Sequence, residues 1–268
     1  MPALDADLRP FARRGLQPVV GLPTLARDFA PLPIVTNPHV AFAAFGLLAI
    51  NVGDLRRALL YVICLILAVT VHEFSHALAA HRLGDPTPEG QGRLTLNPVA
   101  HVDPIGTLLL PIVLGLMSPG MLFGWGRPVQ TQPRHYTRKI TMRAGMALVA
   151  FAGPLSNLLM AAVMLLLVWV LTIAGVGSGW VADPNMPVRM FFTLNLVLFA
   201  FNLIPLHPLD GGKVLGWLLG SRHQHIDDFL QRYGGIMLMV LVFALPEVLR
   251  FVLMPIINVG NLAFALVS

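Results

Sequence analysis

Leu59-Leu60-Tyr61-Val62-Ile63-Cys64-Leu65-Ile66-Leu67-Ala68-Val69-Thr70-Val71-His72-Glu73-Phe74-Ser75-His76 is the stretch that decides how this chain is read. It lies within an apolar run over residues 58–80. Its first part reads as a membrane helix. Its last six residues set two histidines four apart, on one helix face and one turn from each other. Two neutral imidazoles so placed can hold one zinc ion from the same side, and Glu73 can reach a water on that ion and take its proton. His-Glu-x-x-His is a short pattern that also occurs by chance in solvated helices. Inside an apolar span chance is a poor explanation, because ionisable groups there are costly and mark function.

Composition agrees with a membrane setting. The 268 residues are 56% hydrophobic and 12% charged, against about 25% charged in soluble domains. The expected class is an all-α polytopic membrane protein with about six membrane segments. The net charge of +5 is spread over loops, where it reports topology rather than nucleic-acid binding. Cys64 is the single cysteine, which excludes an internal disulfide and a cysteine-based metal site. Residues 1–28 are mixed polar with no apolar h-region, so no cleavable signal peptide is expected there.

Taken in order, residues 1–35 read as a polar leader on the cytoplasmic side, and residues 36–268 as the membrane-embedded part. Residues 33–52 suffice for a span. Core helices are expected over about 58–83, 144–174 and 188–210. Residues 105–123 are apolar but broken by Pro111, Gly115, Pro119 and Gly120. Residues 234–268 can form one helix with an interfacial piece, or two helices. The turn-rich stretch 84–103 holds residues 92–96, which read equally well as a solvated loop or a short edge strand.

Zinc in a hydrolytic site takes three protein ligands and keeps one position open. The best third ligand is Asp210, in the Pro- and Gly-rich run that follows the helix of residues 188–206. Alone, Asp210-Gly211-Gly212 reads as an ordinary turn; beside the two histidines it reads as a ligand. If Asp210 and the histidines share an ion, both helices end on the same membrane side, so only one of the two segments between them crosses. The broken 105–123 is the natural one to be re-entrant. The positive-inside rule agrees. Regions 1–35, 82–143 and 207–232 then hold 4, 7 and 3 Lys/Arg, against 2 and 1 in 53–57 and 176–189. The N-terminus and the site would face the cytoplasm, in a multi-pass protein of the cell (inner or plasma) membrane.

These residues resemble the site-2 protease family of intramembrane zinc metalloproteases (peptidase family M50), in its compact prokaryotic branch without PDZ or CBS domains. The resemblance covers about residues 58–217. It rests on His72-Glu73-Phe74-Ser75-His76, Gly153-Pro154-Leu155-Ser156-Asn157, the run from Asn202 to Gly212, and Gly92-Arg93-Leu94-Thr95-Leu96-Asn97-Pro98 with His101 and Asp103-Pro104-Ile105-Gly106-Thr107. It implies a three-helix core and one Zn2+ held by His72, His76 and Asp210. It further implies Glu73 as the catalytic base, with Asn202 assisting at the substrate or oxyanion. The expected partners are the lipid bilayer and a single-span membrane-protein substrate. Gly153 and Asn157 are read as helix-packing residues. His207 can lie behind Asp210, and His101 can fold over the site, although a loop role suits each as well. His39, His81, His135, His223 and His225 are read as interfacial or solvated. The competing function is a zinc-binding membrane protein or metal transporter without proteolysis, and a weaker one is an inactive helix-binding scaffold. Glu73 discriminates, since a transporter needs no base beside its metal.

Overall fold

A computed structural model describes residues 52–117, 124–175 and 186–268. The leader 1–35, most of the span expected over 33–52, the end of segment 105–123 and most of loop 176–189 lie outside them. The described residues are helical and contain no strand. The principal helices are α1 (Val52–Arg82), α2 (Leu110–Met117), α3 (Met142–Ile173), α4 (Pro187–Asn202), α5 (Asp210–Leu219), α6 (Gln224–Met239) and α7 (Pro246–Val267). Among the described residues, α1, α3 and α7 are long and apolar enough to cross a membrane; α4 is shorter, as is the apolar segment Pro104–Met117.

α1 buries one face. Ala58, Val62, Leu65, Ala68, Val69, His72, Glu73, His76 and Ala80 recur at helical spacing on its inward side. The ligand pair therefore sits on the stripe that packs against the rest of the molecule. Ala58, Ala68 and Ala80 belong to that stripe, and small residues let helix backbones approach closely where lipid provides no hydrophobic drive.

Contacts fix the directions of the core helices. His76 meets Val149 near the start of α3, and His72 meets Asn157 farther along it, so α1 and α3 are antiparallel. Along α3, Asn157 meets Asn195 of α4. Further on, Ala161 and Val168 pack on Phe192 and Leu196 with Phe264 of α7. Cys64, Leu65, Ala68 and Val69 of α1 pack on Leu194 with Met190, Phe191 and Leu198 of α4. α4 is thus antiparallel to α3 and runs with α1, as a shared metal requires.

One expectation is corrected, and one open alternative is decided. The third core helix ends at Asn202 rather than 210. Pro205 has no N–H to donate and disfavours helical backbone at Ile204. A turn over 203–209, with a cis His207–Pro208 bond, separates α4 from α5. Asp210 is therefore the first residue of a new helix, where the helix dipole favours its negative charge. Of the two readings of residues 92–96, the structure has the loop, with a turn at Gly92 and bends at Leu94 and Thr95. The Arg93 side chain is buried and donates to the Ala100 carbonyl, which curls the segment back on itself.

Beyond α1, Asp85 anchors the basic loop. Its carboxylate accepts from the backbone N–H of Thr87 at 3.0 Å and of Gln132 at 2.6 Å, and pairs with His135 at 3.1 Å. Burial pushes the Asp85 carboxyl up, but the hydrogen bonds from Gln132, Thr87 and His135 outweigh it and hold it below the usual carboxylate range. Its stabilisation is present above the ordinary carboxyl pKa and is lost as pH falls through the lowered folded value. Asp85→Ala leaves buried donors unpaired, so thermal melts in detergent at pH 7 are expected to show a loss of roughly 1–3 kcal/mol. An unchanged melting temperature would remove the anchor.

Candidate metal centre

Three acceptor atoms converge where α1 meets the start of α5. The Nε2 atoms of His72 and His76 are 3.0 Å apart. Asp210 Oδ2 is 3.3 Å from the first and 3.1 Å from the second. All three side chains are buried. The imidazoles stand edge to face, with centroids 4.6 Å apart.

The outer nitrogens decide what the inner ones offer. His72 Nδ1 donates to Asn157 Oδ1 at 2.6 Å, and His76 Nδ1 donates to the Val149 carbonyl at 2.7 Å. With hydrogen on both Nδ1 atoms, both Nε2 atoms present lone pairs toward each other and toward a carboxylate. Three acceptors at that spacing repel unless a cation lies among them. Two imidazoles and one carboxylate are a ligand set that zinc takes with a fourth position open. The residues fit that metal.

Gly153 makes room for the pair. A Cβ there would fall 2.3 Å from His76 Nε2 and 2.7 Å from His72 Cε1. Gly153 and Asn157 thus do more than pack helices, since both touch the metal-facing histidines. Gly211 serves the other side. A Cβ there would fall 2.4 Å from the carbonyls of Leu203 and Ile204, so the glycine lets α5 start tight against the turn that delivers Asp210.

Glu73 is buried beside the group, and its Oε2 accepts the Val129 N–H at 2.8 Å. The run containing Val129 has no regular secondary structure and lines a cavity of about 530 Å³ that also takes in His72, Glu73, His76 and Asp210. Asn202 lies on the wall of this cavity, its amide donating to the Leu198 carbonyl at 2.9 Å. Lys213 stands at the rim with Nζ 3.6 Å from Asp210 Oδ1.

Other singled-out histidines lie elsewhere. His101 is buried in its loop, with Nε2 2.8 Å from the Thr95 carbonyl. His207 pairs with Asp227 of α6 at 3.2 Å. His81, His135, His223 and His225 do not join the three-residue group, and His39 is outside the described residues. Sequence reasoning missed Asn195, Val129 and Lys213. Asn195 carried a signal, an amide inside an apolar run seven residues before Asn202 and so on the same helix face. Val129, a backbone donor in a loop, carried none.

Comparison with known proteins adds a family. The model of Peptidase family M50 matches residues 169–245. A Bacillus subtilis (strain 168) protein, YwhC, provisionally named a zinc metalloprotease, is 38% identical over 204 residues, 75% of this chain and 86% of its own length. The chain belongs to peptidase family M50. Another relative, Rip2 of Mycolicibacterium smegmatis (strain ATCC 700084 / mc(2)155), provisionally named in the same way, is 30% identical over 81% of this chain and 82% of its own. Rip2 of Mycobacterium tuberculosis H37Rv is 28% identical over 80% and 81%. No solved structure matches.

Gly153→Ala drives a methyl group into both imidazoles. Metal analysis of the purified variant is expected to show the zinc-to-chain ratio falling well below that of the wild type, while the helical circular dichroism is kept. A variant loaded like the wild type would contradict the close approach.

Proposed function

We propose that this M50 chain is a zinc metalloendopeptidase that cuts a peptide bond within or beside the transmembrane segment of a single-span membrane protein. One observation carries the reading. Two donors of a three-donor group, His72 and His76, lie with the buried Glu73 carboxylate on a helix apolar enough to span, the third donor Asp210 meets them from α5, and all line a cavity large enough for a stretch of extended chain.

His72, His76 and Asp210 would hold the metal, with Asn157 and Val149 fixing the two rings. Zinc, when bound, supplies a Lewis acid that polarises a carbonyl and lowers the pKa of water to about 7. Glu73 takes a proton from the attacking water and returns it to the leaving amine. The Val129 N–H occupies Oε2, which orients the carboxylate and leaves Oε1 for that proton. Asn202, on the cavity wall, offers an amide N–H to the developing oxyanion.

A helical substrate hides its peptide bonds in its own hydrogen bonds, so it must unwind before it is cut. The loop over 124–131, rather than 92–96, lines the cavity and can offer its backbone to such a strand. Segment Pro104–Met117 enters the bilayer without crossing. α1 ends and α3 begins at the same level, so the segment between them returns to the side it left. The Lys/Arg bias of the loops supports a site, and an N-terminus, on the cytoplasmic side of the cell membrane.

Glu73→Gln keeps the ligands and removes the base. In detergent with a generic single-span substrate, it is expected to retain about the wild-type zinc content and to lose roughly 10²–10⁴-fold in cleavage rate. Chelation of the wild type is expected to stop cleavage, and added zinc to restore it. A Glu73→Gln variant that cleaves like the wild type would overturn the mechanism. Zinc in both with cleavage in neither, across several substrates, would favour a non-proteolytic metal protein.

A further inference from the structure

Two buried asparagines on different helices connect His72 to a backbone carbonyl. Asn157 of α3 and Asn195 of α4 are fully buried. Asn195 Nδ2 donates to the Phe191 carbonyl at 2.8 Å. Asn157 Nδ2 donates to Asn195 Oδ1 at 2.8 Å. His72 Nδ1 closes the chain on Asn157 Oδ1 at 2.6 Å.

The order of these bonds is not free. A backbone carbonyl only accepts. Asn195 must therefore turn its NH2 to Phe191 and its oxygen to Asn157. Asn157 must then donate to Asn195, which leaves its oxygen for His72. His72 must carry hydrogen on Nδ1, so its lone pair is on Nε2. Reversing any link sets acceptor against acceptor or donor against donor through the whole chain.

His76 needs no such device, because its Nδ1 faces the Val149 carbonyl directly. His72 faces a side-chain amide, which could present either end. Turned round, Asn157 would offer N–H to Nδ1, move the ring hydrogen to Nε2 and block the metal side.

We propose that Asn195 and Asn157 form an amide relay that transmits the polarity of the Phe191 carbonyl to His72, locks its Nδ1–H tautomer and aims Nε2 at the metal. Both are positioning residues. The inference rests on His72 being a metal ligand, as proposed above. It also explains why two amides are buried in helices that face lipid elsewhere.

The test is zinc affinity of the full-length protein in detergent, by competition with a chromogenic chelator after metal removal. Asn195→Leu keeps the approximate volume and frees Asn157 to turn. It is expected to weaken zinc binding by about 10–100-fold. The double variant Asn157→Asp with Asn195→Leu is expected to return to near wild-type affinity. A carboxylate at 157 accepts from Nδ1–H whichever way it turns. The Asn195→Leu change is still present in that double variant, so rescue cannot come from restored packing. Asn195→Leu at wild-type affinity, or a double variant as weak as the single one, would overturn the relay. His72→Ala is the control, expected to bind zinc far more weakly than any of these. Wild-type affinity in that control would overturn the ligand assignment and the relay with it, whereas a weak control beside an unaffected Asn195→Leu would overturn the relay alone.

Discussion

Three acceptor atoms held 3.0 to 3.3 Å apart in a buried site are the constraint on which the rest of the structure depends. Such a cluster is unfavourable without a cation, so the fold must hold it by force of packing and hydrogen bonding. Each donor has its own restraint. His76 is tied to the α3 backbone, His72 to the two asparagines, and Asp210 to the first turn of α5 with Lys213 beside it. Gly153 brings α3 against both rings. The parallel course of α1 and α4 then follows, because only that course brings the end of α1 and the start of α5 to the same level.

The site is assembled by helix contacts, and this explains what could be read in advance. His72, Glu73 and His76 were legible because a single helix fixes their relation through its period. Asp210 was legible from chemistry, since two histidines leave a hydrolytic zinc one ligand short. Its place was misread because the hydropathy of 188–206 runs on past the real helix end at Asn202, and Pro205 stops the hydrogen-bond ladder where the apolar character does not stop. Gly153 and Asn157 were visible as small and polar residues in an apolar helix, but their partners lie on α1, which no local pattern reveals. Asn195 is the clearest loss. Its meaning depends on α3 and α4 meeting at one level, a fact of tertiary contact.

The segment over the cavity offers a second lesson. Residues 92–96 read equally well as a loop or a strand from their residues, and burial of Arg93 goes with the loop. The loop that lines the cavity contains Gly124, Gly126 and Pro128 and has no strand-like alternation. It is held by groups outside itself, through Asp85 to Gln132 and Glu73 to Val129. A loop anchored in this way can keep a backbone edge beside a catalytic group without forming a strand of its own.

Zinc-edge X-ray absorption on the purified full-length protein tests the central claim most directly. The account predicts one zinc per chain with only nitrogen and oxygen neighbours at about 2.0–2.2 Å. It further predicts outer-shell scattering from two imidazoles, reduced to one in His76→Ala. A sulfur neighbour near 2.3 Å, for which Cys64 is the only cysteine source, or a protein prepared with zinc that retains none, would contradict it.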